Sequence, residues 1–305
     1  MYLYYEHMLI IKIRKLNVKI AIASGKGGTG KTTVATNLAK SVTDRTVVLA
    51  DCDVEEPNAH LFLNPEIQDE KTVNTFIPVV DMEKCTLCGQ CTEICQFQAI
   101  VNIKEKILVF PELCHSCFGC QRICPEMAIG DGHKEIGTIS QGLSGHVRCV
   151  VGTLKIGEAM APPLIKAVKK TAIIEAESDL LILDAPPGTS CPVIEAVKGT
   201  DFIVLVTEPT PFGLHDLKLA VEMVKIIGIP YGVIINRSDI GDRAVLDYCQ
   251  RNQISVLMEI PEDRRIAESY SQGKLIIDAL PEYQKVFRDL LKTIEEKTAG
   301  QEVAA

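Results

Sequence analysis

The sequence predicts an α/β protein with a doubly wound, mostly parallel sheet and a small inserted α+β module. Apolar strand patterns alternate with helical patterns along most of the chain, which is typical of this fold class. A glycine-rich loop directly follows the first strand pattern, and two cysteine runs interrupt the alternation after the second. The length of 305 residues is sufficient for one large and one small domain.

The composition indicates a globular protein and excludes several function classes. Hydrophobic residues make up 47% of the chain, charged residues 24%, and the formal net charge is −8. Because no long Lys/Arg run is present, neither nucleic acid nor an anionic membrane surface is an expected partner. Residues 1–16 show no apparent targeting signal, so we treat them as an N-terminal extension and expect a cytoplasmic protein.

The alternating pattern defines a discontinuous larger domain, residues 17–75 and 134–298, around an insertion at 76–133, with a tail at 299–305. The predicted strands are Val18 to Ala23, Thr46 to Ala50, Asp179 to Leu183, Phe202 to Thr207, Tyr231 to Ile235 and Ser255 to Ile260. The predicted helices between them are about Leu214 to Ile227 and Arg243 to Gln250.

A last helical pattern of apolar residues runs from Tyr283 to Ile294. A membrane-binding tail and a core-packing helix both fit this spacing. The opposite face mixes acidic and basic side chains. Since it lacks the cationic excess that an anionic bilayer attracts, we favour the core-packing helix and expect no membrane insertion.

Twelve cysteines are present, and eight of them form two copies of the spacing C-x2-C-x2-C-x3-C. The copies stand 29 residues apart, and an Ala-Ile pair follows the fourth cysteine of each at the same offset. This spacing is typical of two-cluster [4Fe–4S] ferredoxins, in which the fourth cysteine of each run ligates the other cluster. It assigns Cys85, Cys88, Cys91 and Cys124 to one cluster and Cys114, Cys117, Cys120 and Cys95 to the other.

A zinc or disulfide knot is the alternative for this module, although zinc modules usually pair two C-x2-C knuckles per ion. The first copy departs from the usual pattern, because Gln96 stands where proline often follows the fourth cysteine. The remaining cysteines are interpreted as small buried or incidental residues: Cys52, Cys149, Cys191 and Cys249. A third, bridging cluster site that uses Cys149 or Cys191 remains an open alternative.

The glycine-rich loop satisfies G-x-x-x-x-G-K-[ST] directly after a strand pattern, which predicts a phosphate-binding loop for a nucleotide. Its backbone N–H groups and the following helix N-terminus favour phosphate oxygens. Lys31 is expected to neutralise the β- and γ-phosphates, and Thr32 to ligate Mg²⁺. The nucleotide-binding prediction covers Gly25, Lys26, Gly27, Gly28, Thr29, Gly30, Lys31, Thr32 and Thr33.

Three aspartates stand at predicted strand ends: Asp51, Asp53 and Asp184. Ligands of open α/β sheets collect outside the carboxyl ends of the strands, so these carboxylates are expected near the phosphates. Asp51 and Asp184 are predicted Mg²⁺ ligands, with Asp184 as the Walker B acid that acts through water. Taken singly, each aspartate is equally compatible with a helix cap.

The loop with Lys26 resembles the deviant Walker A motif of the MinD/Mrp/nitrogenase iron protein superfamily, and the resemblance extends over about residues 17–280. It implies a homodimer, or a heterodimer with a paralogue, closed around ATP, in which Lys26 reaches the partner's phosphates. It further implies that Asp53 positions the attacking water and that Asp184 to Thr189 forms the second nucleotide switch. The cysteine module resembles the ferredoxin domain inserted into some members of this superfamily.

A second motif concerns the base of the nucleotide. Asn236-Arg237-Ser238-Asp239 is similar to the guanine-reading Asn-Lys-x-Asp of GTPases, with arginine in place of lysine. In MinD-like families an Asn-Arg pair at this place contacts adenine. The resemblance therefore implies Asn236 as a base ligand and ATP as the nucleotide, with GTP as the alternative.

Three functions fit these features. The first is an ATPase that couples dimer switching to electron transfer through two [4Fe–4S] clusters, with a redox protein as partner. The second, implied by the resemblance to Mrp, is an iron-sulfur carrier or cofactor-assembly protein with an apo-protein as partner. The third is an ATP-dependent ligase similar to cobyrinic acid diamide synthase, which would leave the cysteine module unexplained.

Overall fold

The computed structural model describes residues 18–175 and 180–302. The N-terminal extension at 1–16, Asp179 at the start of one predicted strand, and the end of the tail at 303–305 lie outside these ranges. The strands are β1 (Val18–Ala23), β2 (Val47–Asp51), β3 (Glu66–Val80), β4 (Ile100–Ile103), β5 (Lys106–Val109), β6 (Ile129–Ser144), β7 (Val147–Leu154), β8 (Leu180–Asp184), β9 (Phe202–Thr207), β10 (Tyr231–Asn236) and β11 (Val256–Ile260).

Helices connect most of these strands, and a short 3-10 turn lies at Pro111–Leu113. The helices are α1 (Lys31–Ser41), α2 (Ala59–Leu63), α3 (Gln90–Ile94), α4 (Gly119–Ile123), α5 (Ala161–Glu175), α6 (Cys191–Val197), α7 (Pro211–Ile227), α8 (Ala244–Arg251), α9 (Arg264–Ser271), α10 (Ile276–Ala279) and α11 (Glu282–Glu302). Among the described helices, none combines the length and the apolar character that crossing a bilayer requires.

Within the described residues, nine strands form one sheet in the order β11-β10-β9-β1-β8-β2-β7-β6-β3. The pairings from β11 to β7 are parallel, and the two pairings that involve β6 are antiparallel. The central strands are buried along their whole length, as expected where helices cover both faces of a parallel sheet. The predicted α/β class with a large, mostly parallel sheet is confirmed.

Two apolar layers lie on opposite faces of this sheet. One layer combines inward side chains of the strands with helices α5 to α8, for example Leu164, Leu217 and Val245. The other combines the opposite strand faces with α1 and α11, and the C-terminal helix buries Phe287 and Ile294 completely. The pattern from Tyr283 to Ile294 thus packs against the sheet, where each large buried side chain contributes roughly 1.5–3 kcal/mol.

A long antiparallel ribbon forms the far edge of the sheet. β3 and β6 pair from Glu66 opposite Leu143 to Val80 opposite Ile129. The inner half of β6 also pairs with β7, whereas the outer half continues outward and carries residues 81–128. This outer segment has its own small core, in which Phe76, Ile100 and Ile129 pack with buried cysteines. The predicted boundaries at 76 and 133 fall within the ribbon.

Candidate functional site

A cleft of about 1300 Å³ opens at the carboxyl ends of the parallel strands. Eight of the predicted site residues line it: Gly27, Gly28, Gly30, Lys31, Thr32, Thr33, Asp53 and Asn236. Gly25, Lys26, Thr29, Asp51 and Asp184 lie outside the lining but adjoin it through the chain or through hydrogen bonds. The far wall comes from the segment after β11, including Pro261, Glu262 and Tyr270, which sequence reasoning did not assign.

The glycine-rich loop adopts a conformation that requires glycine at its end. Gly30 has a φ of 96°, in the left-handed region, and it immediately precedes the first residue of α1. A Cβ on Gly30 would lie 2.6 Å from Nδ2 of Asn236, so a side chain at this position would be strained and would also collide. Asn236 donates a hydrogen bond from Nδ2 to the Thr29 carbonyl at 2.9 Å. The amide of Asn236 therefore braces the loop.

Asp184 presents a buried carboxylate at the floor of the cleft. The residue is fully buried, and among the described residues neither of its carboxylate oxygens has a hydrogen-bond partner. Burial raises its pKa above the ordinary value, while the nearby Thr32 hydroxyl and the Lys31 ammonium act in the opposite direction. An unsatisfied buried carboxylate is costly. Together with the Thr32 hydroxyl it forms an oxygen donor set suited to Mg²⁺.

Asp51 has a different environment from Asp184, although the two residues are direct neighbours across β2 and β8. Its Oδ2 accepts hydrogen bonds from the N–H groups of Asn58 and Ala59, and Oδ1 accepts one from Asp53. The carboxylate of Asp51 thus fixes the loop between β2 and α2. Burial and the neighbouring Asp184 raise the pKa of Asp51 well above its usual range.

Asp53 lies on that loop and faces the cleft. Burial raises the pKa of Asp53 to about 6, and the ammonium of Lys31 partly opposes this shift. A carboxylate so placed, on the phosphate side of the cleft, can accept a proton or orient a water molecule near neutral pH. The next residue, Val54, is buried, and its carbonyl accepts the N–H of Leu154 at the end of β7.

Lys26 is directed away from the cleft. Its Nζ lies 3.5 Å from Oε2 of Glu208, and Oε1 of the same glutamate lies 3.2 Å from Nη1 of Arg237. The Ser24 hydroxyl donates to the Lys26 carbonyl at 2.5 Å and holds the loop backbone. Glu208 directly follows β9 and only 8% of its surface is exposed. Sequence reasoning missed Glu208, because Thr-Glu-Pro at a strand end is typical of an ordinary turn.

Near Asn236, at the end of the cleft expected to border the nucleobase, Asp239 accepts a hydrogen bond from within the chain. Its Oδ1 accepts the N–H of Glu262 at 2.6 Å, and Asp239 does not line the cleft. In the GTPase motif the equivalent carboxylate reads the guanine edge. Here the carboxylate instead holds the segment Pro261 to Asp263 against the loop after β10, which closes the base end of the cleft.

The outer module contains two separate small cavities. The first cavity is lined by Cys85, Cys88, Cys91 and Cys124. The second cavity is lined by Cys95, Cys114, Cys117 and Cys120. Each cavity therefore takes three cysteines from one run and the fourth from the other. Within the described ranges, no three His, Cys, Asp or Glu side chains converge on a site for a single metal ion.

The backbone around the two cavities repeats with the 29-residue period of the sequence. Leu87 and Ser116 both have left-handed φ angles, of 58° and 54°, and Gln98 and Met127 have φ angles of 52° and 47°. Left-handed conformations are unfavourable for such side chains, so loops that repeat them must be held by their surroundings. The N–H groups of Ala99 and Ala128 donate to Sγ of Cys95 and Cys124, each at 3.3 Å.

The cysteines outside the module do not join either cavity. Cys52 and Cys149 are buried near β2, where burial raises the pKa of the Cys149 thiol to about 12. Cys249 is a buried residue of α8, and Cys191 is exposed at the start of α6. Their environments agree with small buried or surface residues.

Residues 20–276 match the sequence model of the CobQ/CobB/MinD/ParA nucleotide binding domain family. The uncharacterized protein MJ0579 of Methanocaldococcus jannaschii is 30% identical over 91% of this chain and 95% of its own length. The iron-sulfur cluster carrier protein of Aquifex aeolicus is 26% identical over 91% of this chain and 67% of its own length.

Solved structures with the same fold include the septum site-determining protein MinD of Pyrococcus horikoshii, complexed with Mg-ADP. It superposes with a TM-score of 0.58 over 95% of this chain and 99% of its own, at 21% identity. The cell division ATPase MinD of Pyrococcus furiosus gives a TM-score of 0.58 at 23% identity, over 92% and 99% of the two chains. At this identity the likeness establishes the fold.

Proposed function

The chain belongs to the CobQ/CobB/MinD/ParA nucleotide-binding family, and from this premise we propose that it is an Mg²⁺-dependent ATPase with two resident [4Fe–4S] clusters. Hydrolysis would switch a dimer and couple that switch to electron transfer through the clusters. The observation that carries the proposal is that one continuous sheet joins a phosphate-binding cleft to two four-cysteine cavities.

The nucleotide half of the proposal assigns a role to each group around the cleft. The loop N–H groups and Lys31 hold the β- and γ-phosphates, and the Thr32 hydroxyl binds Mg²⁺. Asp184, whose carboxylate oxygens lack hydrogen-bond partners in the described ranges, supports the ion through water. Asp53 orients the attacking water. Asp51, whose oxygens are already engaged by three N–H donors, positions Asp53 and is assigned no direct contact with the ion.

ATP is the proposed nucleotide, because Asp239, the carboxylate that would read guanine, does not line the cleft. Its Oδ1 instead accepts the Glu262 N–H from the segment after β11. Asn236 is proposed to brace the loop through Thr29 as well as to border the base.

The part of the proposal that concerns the clusters rests on how the cysteines of each cavity fit a [4Fe–4S] cluster. Each cavity offers four thiol side chains, and one in each cavity, Cys124 in the first and Cys95 in the second, accepts a backbone N–H···S bond in an equivalent place. Such bonds, together with burial, tune the reduction potential of iron-sulfur clusters. The repeated left-handed residues turn each loop around its cavity. Two [4Fe–4S] clusters bound in this way would accept and donate one electron at a time.

The coupling part of the proposal is supported by a short route between the two halves. Val54 directly follows Asp53, and its carbonyl accepts the Leu154 N–H at 2.7 Å. A Cβ on Gly152 would lie 2.7 Å from Cγ1 of Val54, so β7 and the Val54 side chain are in close contact. β7 pairs with β6, the strand that carries the module. A movement of Asp53 against the γ-phosphate would therefore be transmitted to the inner end of the ribbon, where β6 pairs with β7.

The test begins with anaerobically purified protein, analysed for iron, sulfide and ATP hydrolysis. Lys31→Ala should abolish hydrolysis and retain about eight irons, because the lysine and the eight cysteines belong to separate sites. Reduction of an acceptor such as a viologen dye is then followed with and without Mg-ATP. An equal rate in both conditions contradicts the coupling, and zinc in place of iron contradicts the cluster half.

The second candidate is an iron-sulfur carrier, which the similarity to the Aquifex aeolicus protein favours. In that case a cluster would be cargo. The discriminating measurement is transfer of ⁵⁵Fe from labelled protein to an apo-ferredoxin in the presence of ATP. Complete retention of the label rejects the carrier, whereas ATP-dependent transfer of the label supports it over the electron-transfer function.

A further inference from the structure

We infer that Glu208 is an autoinhibitory partner of Lys26, which it holds against its own chain until nucleotide competes for the lysine. The inference rests on the proposed nucleotide-driven dimer and identifies a residue that sets its threshold. Glu208 contacts Lys26 at 3.5 Å through Oε2 and Arg237 at 3.2 Å through Oε1. It therefore joins the phosphate-binding loop to the loop after β10.

The position of Glu208 is fixed by its surroundings. Its carbonyl accepts the Thr210 N–H at 2.8 Å, and a Cβ on Gly213 would lie only 2.2 Å from that carbonyl. Thr210 caps α7 by accepting the Gly213 N–H through its side chain. The backbone of Glu208 is consequently held by the start of a 17-residue helix, so the residue cannot shift as a whole with a departing lysine.

Burial makes this carboxylate dependent on its two cations. The side chain of Glu208 is 10% exposed, compared with 32% for Lys26 and 50% for Arg237. A buried carboxylate without a cation is strongly unfavourable, because desolvation is then uncompensated. Arg237 has a second partner, since its Nε lies 3.2 Å from Oε2 of Glu262. Release of Lys26 would therefore leave Arg237 in place between Glu208 and Glu262.

In the described conformation, Lys26 does not line the nucleotide cleft. To reach any phosphate oxygen, whether in its own cleft or in that of a partner, its ammonium must leave Glu208. Triphosphate and glutamate thus compete for one cation, and the lysine has two discrete positions. Lys26 is bound to Glu208 in one state and to phosphate in the other. The dimer therefore closes only when the phosphates attract the lysine more strongly than Glu208 does.

The first test uses Glu208→Gln, which keeps the shape and removes the charge, with Glu295→Gln as the matched control. Glu295 lies on α11, where it pairs with Arg45, and it is outside the cleft. In nucleotide-free protein, acylation of the Lys26 amine by an N-hydroxysuccinimide ester is measured by mass spectrometry. Acylation of Lys26 should be severalfold faster in Glu208→Gln and unchanged in the control, because the paired ammonium ion is less reactive.

The second test measures dimerisation by sedimentation in Mg²⁺ and a slowly hydrolysed ATP analogue. Since partly exposed ion pairs are worth up to about 1 kcal/mol and each chain of a homodimer releases one, Glu208→Gln should lower the dimer Kd by up to about thirtyfold. Equal acylation of Lys26 in wild type and variant overturns the inference, as does faster acylation with an unchanged dimer Kd. If wild type binds no nucleotide, the proposed function is wrong, and the acylation result still decides whether Glu208 holds Lys26.

Discussion

The crossed arrangement of the cysteines predicts which pairs of substitutions remove one cluster and which remove both. Cys95 and Cys117 line the same cavity, whereas Cys88 lines the other. In a sequential arrangement, Cys95 would instead belong with Cys88. Two double variants therefore give opposite results under the two arrangements: Cys95→Ala/Cys117→Ala and Cys88→Ala/Cys95→Ala.

The expected iron content follows from the cavities. Wild type should hold about eight irons, four in each cavity. Cys95→Ala/Cys117→Ala should retain about four, because both changes affect the second cavity and the first keeps its four thiols. Cys88→Ala/Cys95→Ala should lose nearly all iron. Cys88 and Cys117 are exposed, so their removal leaves the buried cysteines of the module in place.

The assay is iron and acid-labile sulfide per chain after anaerobic reconstitution and gel filtration, supported by the electron paramagnetic resonance of dithionite-reduced samples. Cys191→Ala, at an exposed cysteine outside the module, is the matched control and should keep about eight irons. If Cys95→Ala/Cys117→Ala loses all iron and Cys88→Ala/Cys95→Ala keeps half, the crossed arrangement is wrong.

Three further predictions concern the cleft and the core. Asn236→Ala removes the brace on the Thr29 carbonyl and should weaken Mg-ADP binding about tenfold by calorimetry, the effect of one lost hydrogen bond; unchanged affinity contradicts the brace. Because burial raises the pKa of Asp53 to about 6, the folded nucleotide-free state binds this proton more tightly than the unfolded state. The free energy of unfolding should therefore fall by about 1 kcal/mol as pH rises from about 4 to about 6, after allowance for partial exposure. Urea titrations at several pH values should show that Asp53→Asn lacks this part of the pH dependence. Phe287→Ala should lower the free energy of unfolding by about 3–5 kcal/mol, since Phe287 is fully buried in the layer beneath α11; a loss below about 1 kcal/mol would show that α11 is not part of the core.

The central strands were predictable because both of their faces are buried. Phe202–Thr207 is an apolar run that ends in Thr207, and Val18–Ala23 is apolar apart from Lys19; the structure gives the same bounds. The helix predicted from Leu214 begins three residues earlier, at Pro211. Proline is suited to the first turn of a helix, where its missing N–H group is not required, but the apolar period alone did not reveal it.

The long ribbon was not predictable in the same way. Most of β3 is exposed, and its charged start, Glu66 to Lys71, shows no apolar alternation. Its partner β6 contains several glycines, which sequence patterns associate with loops. One of these, Gly142, is needed because a Cβ there would lie 2.4 Å from the Glu66 carbonyl. That requirement arises only when two segments far apart in sequence are paired.

The motifs indicated which residues approach the nucleotide but did not indicate their hydrogen-bond partners. Asp51 and Asp184 appeared equivalent in sequence, both at strand ends. In the structure the carboxylate of Asp51 accepts from three N–H donors, whereas that of Asp184 has no donor within the described part of the chain. Glu208 gave no signal, because its importance depends on the three-dimensional approach of Lys26. Partner identity is a tertiary property, which local pattern does not encode.

The way in which the module is built bears on whether the proposed clusters are resident or cargo. Transfer of a cluster requires its thiolates to be released in turn, so the ligands of a carrier should lie in loops that open at little cost. Here Cys91 and Cys120 belong to the apolar core of the module together with Ile100 and Ile129. Delivery of a cluster would require these two buried thiolates to become accessible to an acceptor, a cost that local opening of an exposed loop does not carry.

The connection of the module to the sheet also favours resident clusters over clusters that are delivered to another protein. β2, β7, β6 and β3 are joined by consecutive hydrogen-bonded pairings, so no flexible linker separates the module from the strand that ends at Asp51. A nucleotide-driven change would reach the module as a shift or twist of the ribbon. Such a motion can alter the docking of a redox partner without opening either cavity, which is why we place electron transfer ahead of cluster delivery.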